Sequence, residues 1–412
     1  MLIIFRGCIM MNRKGFISTA ALYSFFLVFC MLLILIMTTY TNNRVNYKSV
    51  KIDAKETAYK DFKAKNRYVD LPSSVINPDS FFGFEKILID NSNGKNNVID
   101  AQNYIKGKGE PDFSILAKTN EGIFAAQDDL GTSYYFRGSV NNNWLKFGKD
   151  NLNNDIYWRV IRVNGDNSIR MIYSGTTPPT SSTATVMTGT GTQINALTYN
   201  FNSSYNRAEY VGYMYTLGQQ HGNNTSSTIK KIIDDWYKTT TLETDTKTKK
   251  IVVDQIFCND RSASSTQTAA WTSTGTQYYY GAYGRLEVNK KPILTCPLAS
   301  DKFTVSASNG NGALKYPVGL ITADEIAMAG SIHDRNHPNN SFYLYTSNTY
   351  WSGTPYNFYS SGYSTMLFAW APGNLYNGNT NNVTGIRPVI SLSSMIKLSG
   401  DGTYNNPYEV TE

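Results

Sequence analysis

Few residues of this chain have the type and spacing that chemistry needs. Of the three histidines in 412 residues, His333 and His337 stand four apart, a spacing that on a helix would turn two imidazoles to one face for a metal ion. The run around them, Ser-Ile-His-Asp-Arg-Asn-His-Pro-Asn-Asn at 331–340, reads instead as a solvated loop, with no Glu or Cys placed to complete a ligand set. Asp324 and Glu325 look like paired carboxylates for acid and base work until Thr322 is noticed. Thr322-Ala-Asp-Glu325 is a capping box, in which Glu325 reaches back to the Thr322 amide and Asp324 favours the positive end of a helix. No P-loop, Gly-rich dinucleotide fingerprint, nucleophile elbow or zinc-protease motif occurs, so the main enzyme templates fail. The reading is of a protein that is no enzyme, with neither cofactor nor metal.

The cysteines divide by place. Cys8 precedes an apolar run, Cys30 lies within it, and Cys258 and Cys296 follow far downstream. Only the last two can pair in an oxidising space, closing a loop of about 38 residues around a polar tract; packed free thiols are the alternative.

The elements that position these residues begin with that apolar run. Residues 16–37 carry no charge and, at roughly 1.5 Å per residue, span a hydrocarbon layer of about 30 Å, which predicts one transmembrane helix. A cleaved secretory signal would have a shorter core and a small-residue site, whereas Thr-Thr-Tyr-Thr follows here. Arg13 and Lys14 abut its amino end, which places residues 1–15 in the cytoplasm and the rest outside the cell membrane. Residues 38–68 continue as a stalk, where Tyr47, Val50, Ala54, Ala58 and Phe62 form one apolar stripe. A turn-rich collar covers 69–133.

From 134 to 412 the pattern turns to strands, at 134–137, 156–163 and 168–173, with an Asn-Gly-Asp turn at 164–166 between the last two. Alternation places Arg159 and Arg162 on a solvated sheet face. Ile229, Ile232, Ile233 and Trp236 form the buried stripe of one short helix. Long polar tracts at 174–193 and 262–277 read equally as recognition loops and as tolerated insertions. A net charge of +7 is spread along the chain without a basic block, which excludes a nucleic-acid footprint. Tyr 30, Phe 19 and Trp 6 among many Asn, Ser, Thr and Gly give the polar-aromatic surface common in carbohydrate-facing modules.

Three resemblances follow from longer motifs. Met-Asn-Arg-Lys-Gly-Phe at 11–16, opening the apolar helix, resembles the signal of type IV pilins and pseudopilins, which implies cleavage between Gly15 and Phe16. Ala20 stands where that family carries the docking Glu, so a minor pilin-like subunit and an uncleaved anchor both remain open; Met1, Met10 and Met11 are all candidate starts. Tyr-Trp-Ser-Gly-Thr at 350–354, Phe-Ala-Trp at 368–370 and Gly-Ile-Arg-Pro-Val at 385–389 resemble the closing half of C-type-lectin-like domains. More broadly, through Tyr-Tyr-Phe-Arg-Gly at 134–138, Tyr-Trp-Arg-Val-Ile at 157–161, Phe-Cys-Asn-Asp-Arg-Ser at 257–262, Gly-Leu-Ile-Thr-Ala-Asp-Glu at 319–325 and Gly-Asp-Gly-Thr-Tyr at 400–404, the stretch 134–410 resembles uncharacterised external domains of low-GC Gram-positive bacteria, which have no assigned activity. The calcium-binding triplet of lectins has no counterpart, since His337-Pro-Asn339 lacks the carboxylate.

The fold class expected is therefore α+β, a transmembrane and stalk helix followed by a β-rich C-type-lectin-like external domain. The function expected is surface binding or adhesion, with membrane lipid as one partner and a surface polysaccharide, a protein ligand or pilin-like subunits as others. Trp351 and Arg387 read as core and buried hydrogen bonding. The stretch 356–384 reads as a long presented loop, whose Tyr356, Tyr359, Tyr363, Trp370, Asn374, Tyr376 and Asn379 are the ligand-binding candidates.

Overall fold

The computed structural model describes residues 109–181 and 189–411, with three short segments, 31–33, 87–90 and 97–100, before them. The leader with Gly15 and Phe16, the stalk, and all of the apolar run but residues 31–33 lie outside the described residues. Residues 31–33 are helical, and among the described residues no helix is long and apolar enough to cross a membrane. The chain divides into two compact units, Met1–Leu71 and Pro72–Glu412.

Strands dominate the second unit, with short helices between them, a mixed α+β architecture. β-branched and aromatic residues build the larger sheet, because they fill a pleated surface covered on both sides. Its path runs Val389–Leu392, Ile169–Tyr173, Asp155–Val163, Trp144–Lys149, Tyr408–Thr411 and Lys397–Ser399. Gly131–Gly138 joins it through Tyr134 and Tyr135, opposite Val163 and Arg162, and brings Asn120–Asp128 along. The last of these strands falls inside the expected collar, so the sheet begins before residue 134. Gly165 completes the turn between Asp155–Val163 and Ile169–Tyr173, where a Cβ would lie 2.3 Å from the Gly131 nitrogen.

The smaller sheet runs Leu375–Asn379, Tyr363–Ala369, Tyr350–Tyr359, Val383–Gly385 and Thr198–Asn200, with Tyr278–Tyr279 paired to Tyr350–Tyr359. One hydrophobic core serves both sheets. Trp158 and Tyr173 of the larger sheet meet Trp236 edge-on, with ring centres 6.5 and 5.5 Å from it. Trp236 belongs to the helix Thr228–Tyr237, which Ser227 caps and which buries Ile229, Ile233, Trp236 and Tyr237. Trp351 lies between Phe201 and Phe368 and donates its indole N–H to the Tyr199 carbonyl at 2.8 Å. Arg387 is fully buried; it donates to the carbonyls of Tyr173 and Leu344, with its guanidinium 4.8 Å from the Tyr350 ring centre.

The arginines of Asp155–Val163 are not solvated. Both faces of that strand are covered, Arg159 and Arg162 are buried, and each is held by groups from distant segments. Arg159 donates to the Val140 carbonyl at 2.6 Å and lies over the Trp144 ring. Arg162 pairs with Asp128 at 2.7 Å and with Glu325 at 3.0 Å.

Candidate functional site

Two places concentrate polar groups, and their sizes separate them. The first is a small, partly open cavity of about 30 Å³ between the larger sheet and the helix Ala323–Ala329, lined by Asp128, Arg162, Arg170, Arg285, Asp324 and Glu325 among others. Every charge there is answered: Arg170 meets Glu325 at 2.6 Å, and Arg285 meets Asp260 at 2.6 Å and Asp324 at 2.9 Å. Thr322 and Glu325 form the capping box, so Glu325 closes the helix start and neutralises two arginines together. Burial alone would raise its pKa, but the charges of Arg170 and Arg162 and the Thr322 amide outweigh burial and hold the carboxyl at about 2. A space of this size takes a water or two and no substrate, so the cluster acts as an internal ionic tie. The disulfide Cys258–Cys296, spanning 38 positions, lies beside it.

The second place is an open groove of about 490 Å³ on the smaller sheet, lined by Thr349, Phe368, Trp370, Asn381, Asn382, Val383 and Thr384. Trp370 ends the strand Tyr363–Ala369 and opens a tight turn, its amide donating to the Asn374 carbonyl and its carbonyl accepting from the Gly373 amide, both at 2.7 Å. Gly373 holds φ +101° there, and a Cβ would lie 1.8 Å from the Asn339 carbonyl oxygen, so no other residue fits. Phe368 is backed by Trp351 at 5.8 Å, and Thr349 accepts from the Ala371 amide. The result is an aromatic floor with an amide and hydroxyl rim, and none of the lining residues carries a charge.

Behind the floor stands a second aromatic group. Tyr376 packs on Trp370 at 5.3 Å and on Phe368 at 5.9 Å, and His333 lies nearly parallel to both Tyr376 at 6.3 Å and Tyr356 at 5.3 Å. The segment 331–340 lies between named elements, as expected, but the exposure expected of it holds only for His337, at 67%, since just 11% of the His333 side chain is exposed. The imidazole is largely covered because the strands Tyr350–Tyr359 and Leu375–Asn379 each set a ring nearly parallel to it. Its Nδ1 is 3.4 Å from Glu287 Oε2, which also accepts from the Tyr356 hydroxyl, and among the described residues Nε2 has no hydrogen-bond partner. Burial pushes the Tyr356 phenol up, and its bond to Glu287 adds to that.

The expected presented loop at 356–384 is mostly sheet, ordered by the hairpin of Tyr350–Tyr359 with Tyr363–Ala369 and by the pairing of the latter with Leu375–Asn379. Of the seven candidates there, Trp370 lines the groove, and Tyr356, Tyr376 and Asn374 gather behind it. Asn374 is fully buried, donating to the Asp334 carbonyl, and cannot meet a ligand. Tyr359 closes its strand at its half-buried end, and Asn379 pairs with Thr365. Tyr363 stacks on Tyr205 at 5.3 Å and lines neither feature. Sequence reasoning missed Thr349, Asn381 and Asn382 as groove residues, although the amide-rich run at 377–382 was a signal for the last two. Among the described residues no group of three or more His, Cys, Asp or Glu is placed to hold a metal ion. No family model matches the chain, and neither does any curated protein or solved structure.

Proposed function

We propose that this chain is a single-pass bacterial surface protein, without catalytic activity, whose external C-type-lectin-like module holds a neutral glycan in the Trp370 groove. The groove carries the reading. An indole and a phenyl ring offer apolar faces to the C–H side of a sugar, while Asn381, Asn382, Thr349 and Thr384 offer hydrogen bonds to hydroxyls at the rim. The absence of charge among these lining residues favours a neutral ligand over a teichoic or uronic acid chain. A disulfide suits an oxidising exterior. The uncharged run at 16–37 and its basic leader support the anchor, and the order of the motifs at 350–354, 368–370 and 385–389 supports the lectin-like fold.

The test is binding of the full chain, in detergent, to purified wall polysaccharide. Trp370→Ala should weaken binding by more than about tenfold, as loss of an aromatic anchor does. Tyr363→Ala, outside the groove, should leave it unchanged. Equal binding by wild type and Trp370→Ala, with melting curves alike, would move the site elsewhere. A second reading, a minor pilin-like subunit of a filament or secretion pseudopilus, rests on the Gly15-Phe16 junction.

A further inference from the structure

We infer that His333 is the positioning group of the Trp370 groove and makes ligand capture depend on pH; the inference rests on the groove being the binding site. The rings form a packed series from His333 through Tyr376 to Trp370, nearly parallel at the first step and tilted by 36° at the second, with centre-to-centre steps of 6.3 and 5.3 Å. Tyr376 also supports Phe368, so both aromatic members of the groove floor bear on the ring that His333 packs against. A shift of the imidazole is therefore passed to the floor through packed side chains.

The surroundings of His333 favour one protonation state. With its proton on Nδ1, the neutral ring points it toward Glu287 and leaves Nε2 as a bare lone pair. A second proton would put a charged N–H on Nε2, a buried atom with no acceptor among the described residues. The new charge would also pull the ring toward Glu287, in competition with the Tyr356 hydroxyl bound to the same oxygen.

Other charged groups face the ring from each element around it. Lys290, three residues after Glu287, donates to the His333 carbonyl at 3.0 Å. On its own segment, Asp334 is engaged by His337 at 2.7 Å, and the Arg335 guanidinium lies 3.9 Å from the Tyr376 ring centre. Tyr356 and Tyr376 are the titratable groups that the two flanking strands place against the ring. Burial pushes the imidazole pKa below its ordinary 6.5; Glu287 and Asp334 oppose this and Lys290 reinforces it. The ring is thus neutral at pH 7, and the stack is disturbed only in acid.

The experiment uses the full chain in detergent, labelled with 5-fluorotryptophan, with the Trp370 signal assigned by its loss in Trp370→Phe. From pH 8 to 4.5, with circular dichroism confirming the fold, the Trp370 fluorine signal should move with a midpoint below 6.5. The movement should vanish in His333→Phe, which keeps the stacking without the charge, and in His333→Gln as a second variant. Wild-type affinity for purified wall polysaccharide should fall about tenfold between pH 7.5 and 4.5, equivalent to a one-unit displacement of the pKa by ligand, and stay level in His333→Phe. A Trp370 signal that does not titrate, or titrates alike in His333→Phe, overturns the positioning role. Binding that is absent at every pH instead overturns the glycan reading, while the fluorine titration still decides the role of His333.

Discussion

Glu325 accepts the Thr322 amide on one carboxylate oxygen and the Nε–H groups of Arg162 and Arg170 on the other. Its folded pKa, about 2, lies below the ordinary 4.5, so the stability it contributes is complete above pH 4.5 and is lost as pH falls from there toward 2. Urea titrations across that range should show a loss of about 3 kcal/mol from this group. Glu325→Gln should cost about 3–5 kcal/mol at pH 7, because two buried arginines lose their shared charge, and its stability should fall less between pH 4.5 and 2 than that of the wild type. Half of this residue's role was legible in the sequence. Thr322 and Glu325 are three apart and announce the cap, whereas Arg162 and Arg170 lie 163 and 155 positions away, and no local pattern carries such a pairing. Contacts outside any local pattern also hid the burial of Arg159, over Trp144 and Tyr343, and the stacking of His333 on Tyr356 and Tyr376, since alternation gives the face of a residue but not what covers that face.

At the scale of elements, local patterns served best where the period was strong. The strands ending at Val163 and beginning at Ile169, the turn between them and the helix Thr228–Tyr237 all follow from apolar spacing and turn chemistry. The stretch from 356 to 379 was harder, because Asn, Gly, Ser and Thr dilute its hydrophobicity and read as loop; its order comes from strands pairing with one another and from rings packed across them. The disulfide ties Phe257–Cys258 to the segment that carries Cys296. Cys258→Ser with Cys296→Ser should lower unfolding free energy by about 3–4 kcal/mol, the entropy released to a denatured loop of 38 residues, measured by chemical denaturation. Because neither cysteine lines the groove, binding at 25 °C should persist in the variant.

For the whole molecule, the amino-terminal junction separates the two readings of function. If the chain is an anchored surface protein, amino-terminal sequencing of the membrane-extracted product should find residues upstream of Phe16, with Met11 retained. A product beginning at Phe16 would favour the pilin-like subunit. The larger sheet has a separate bearing on how such a protein is made. Its amino-terminal strands are finished by its last ones: Val389–Leu392 lies against Ile169–Tyr173, and Tyr408 pairs in parallel with Leu145. During synthesis the chain emerges from its amino end, so Trp144–Lys149 and Ile169–Tyr173 can pair early with Asp155–Val163 between them, but each keeps one bare hydrogen-bonding edge until the last strands are made. Closure has to wait for the final residues. A chain stalled or clipped before those residues keeps the two edges bare, and an unpaired strand edge is a template for aggregation.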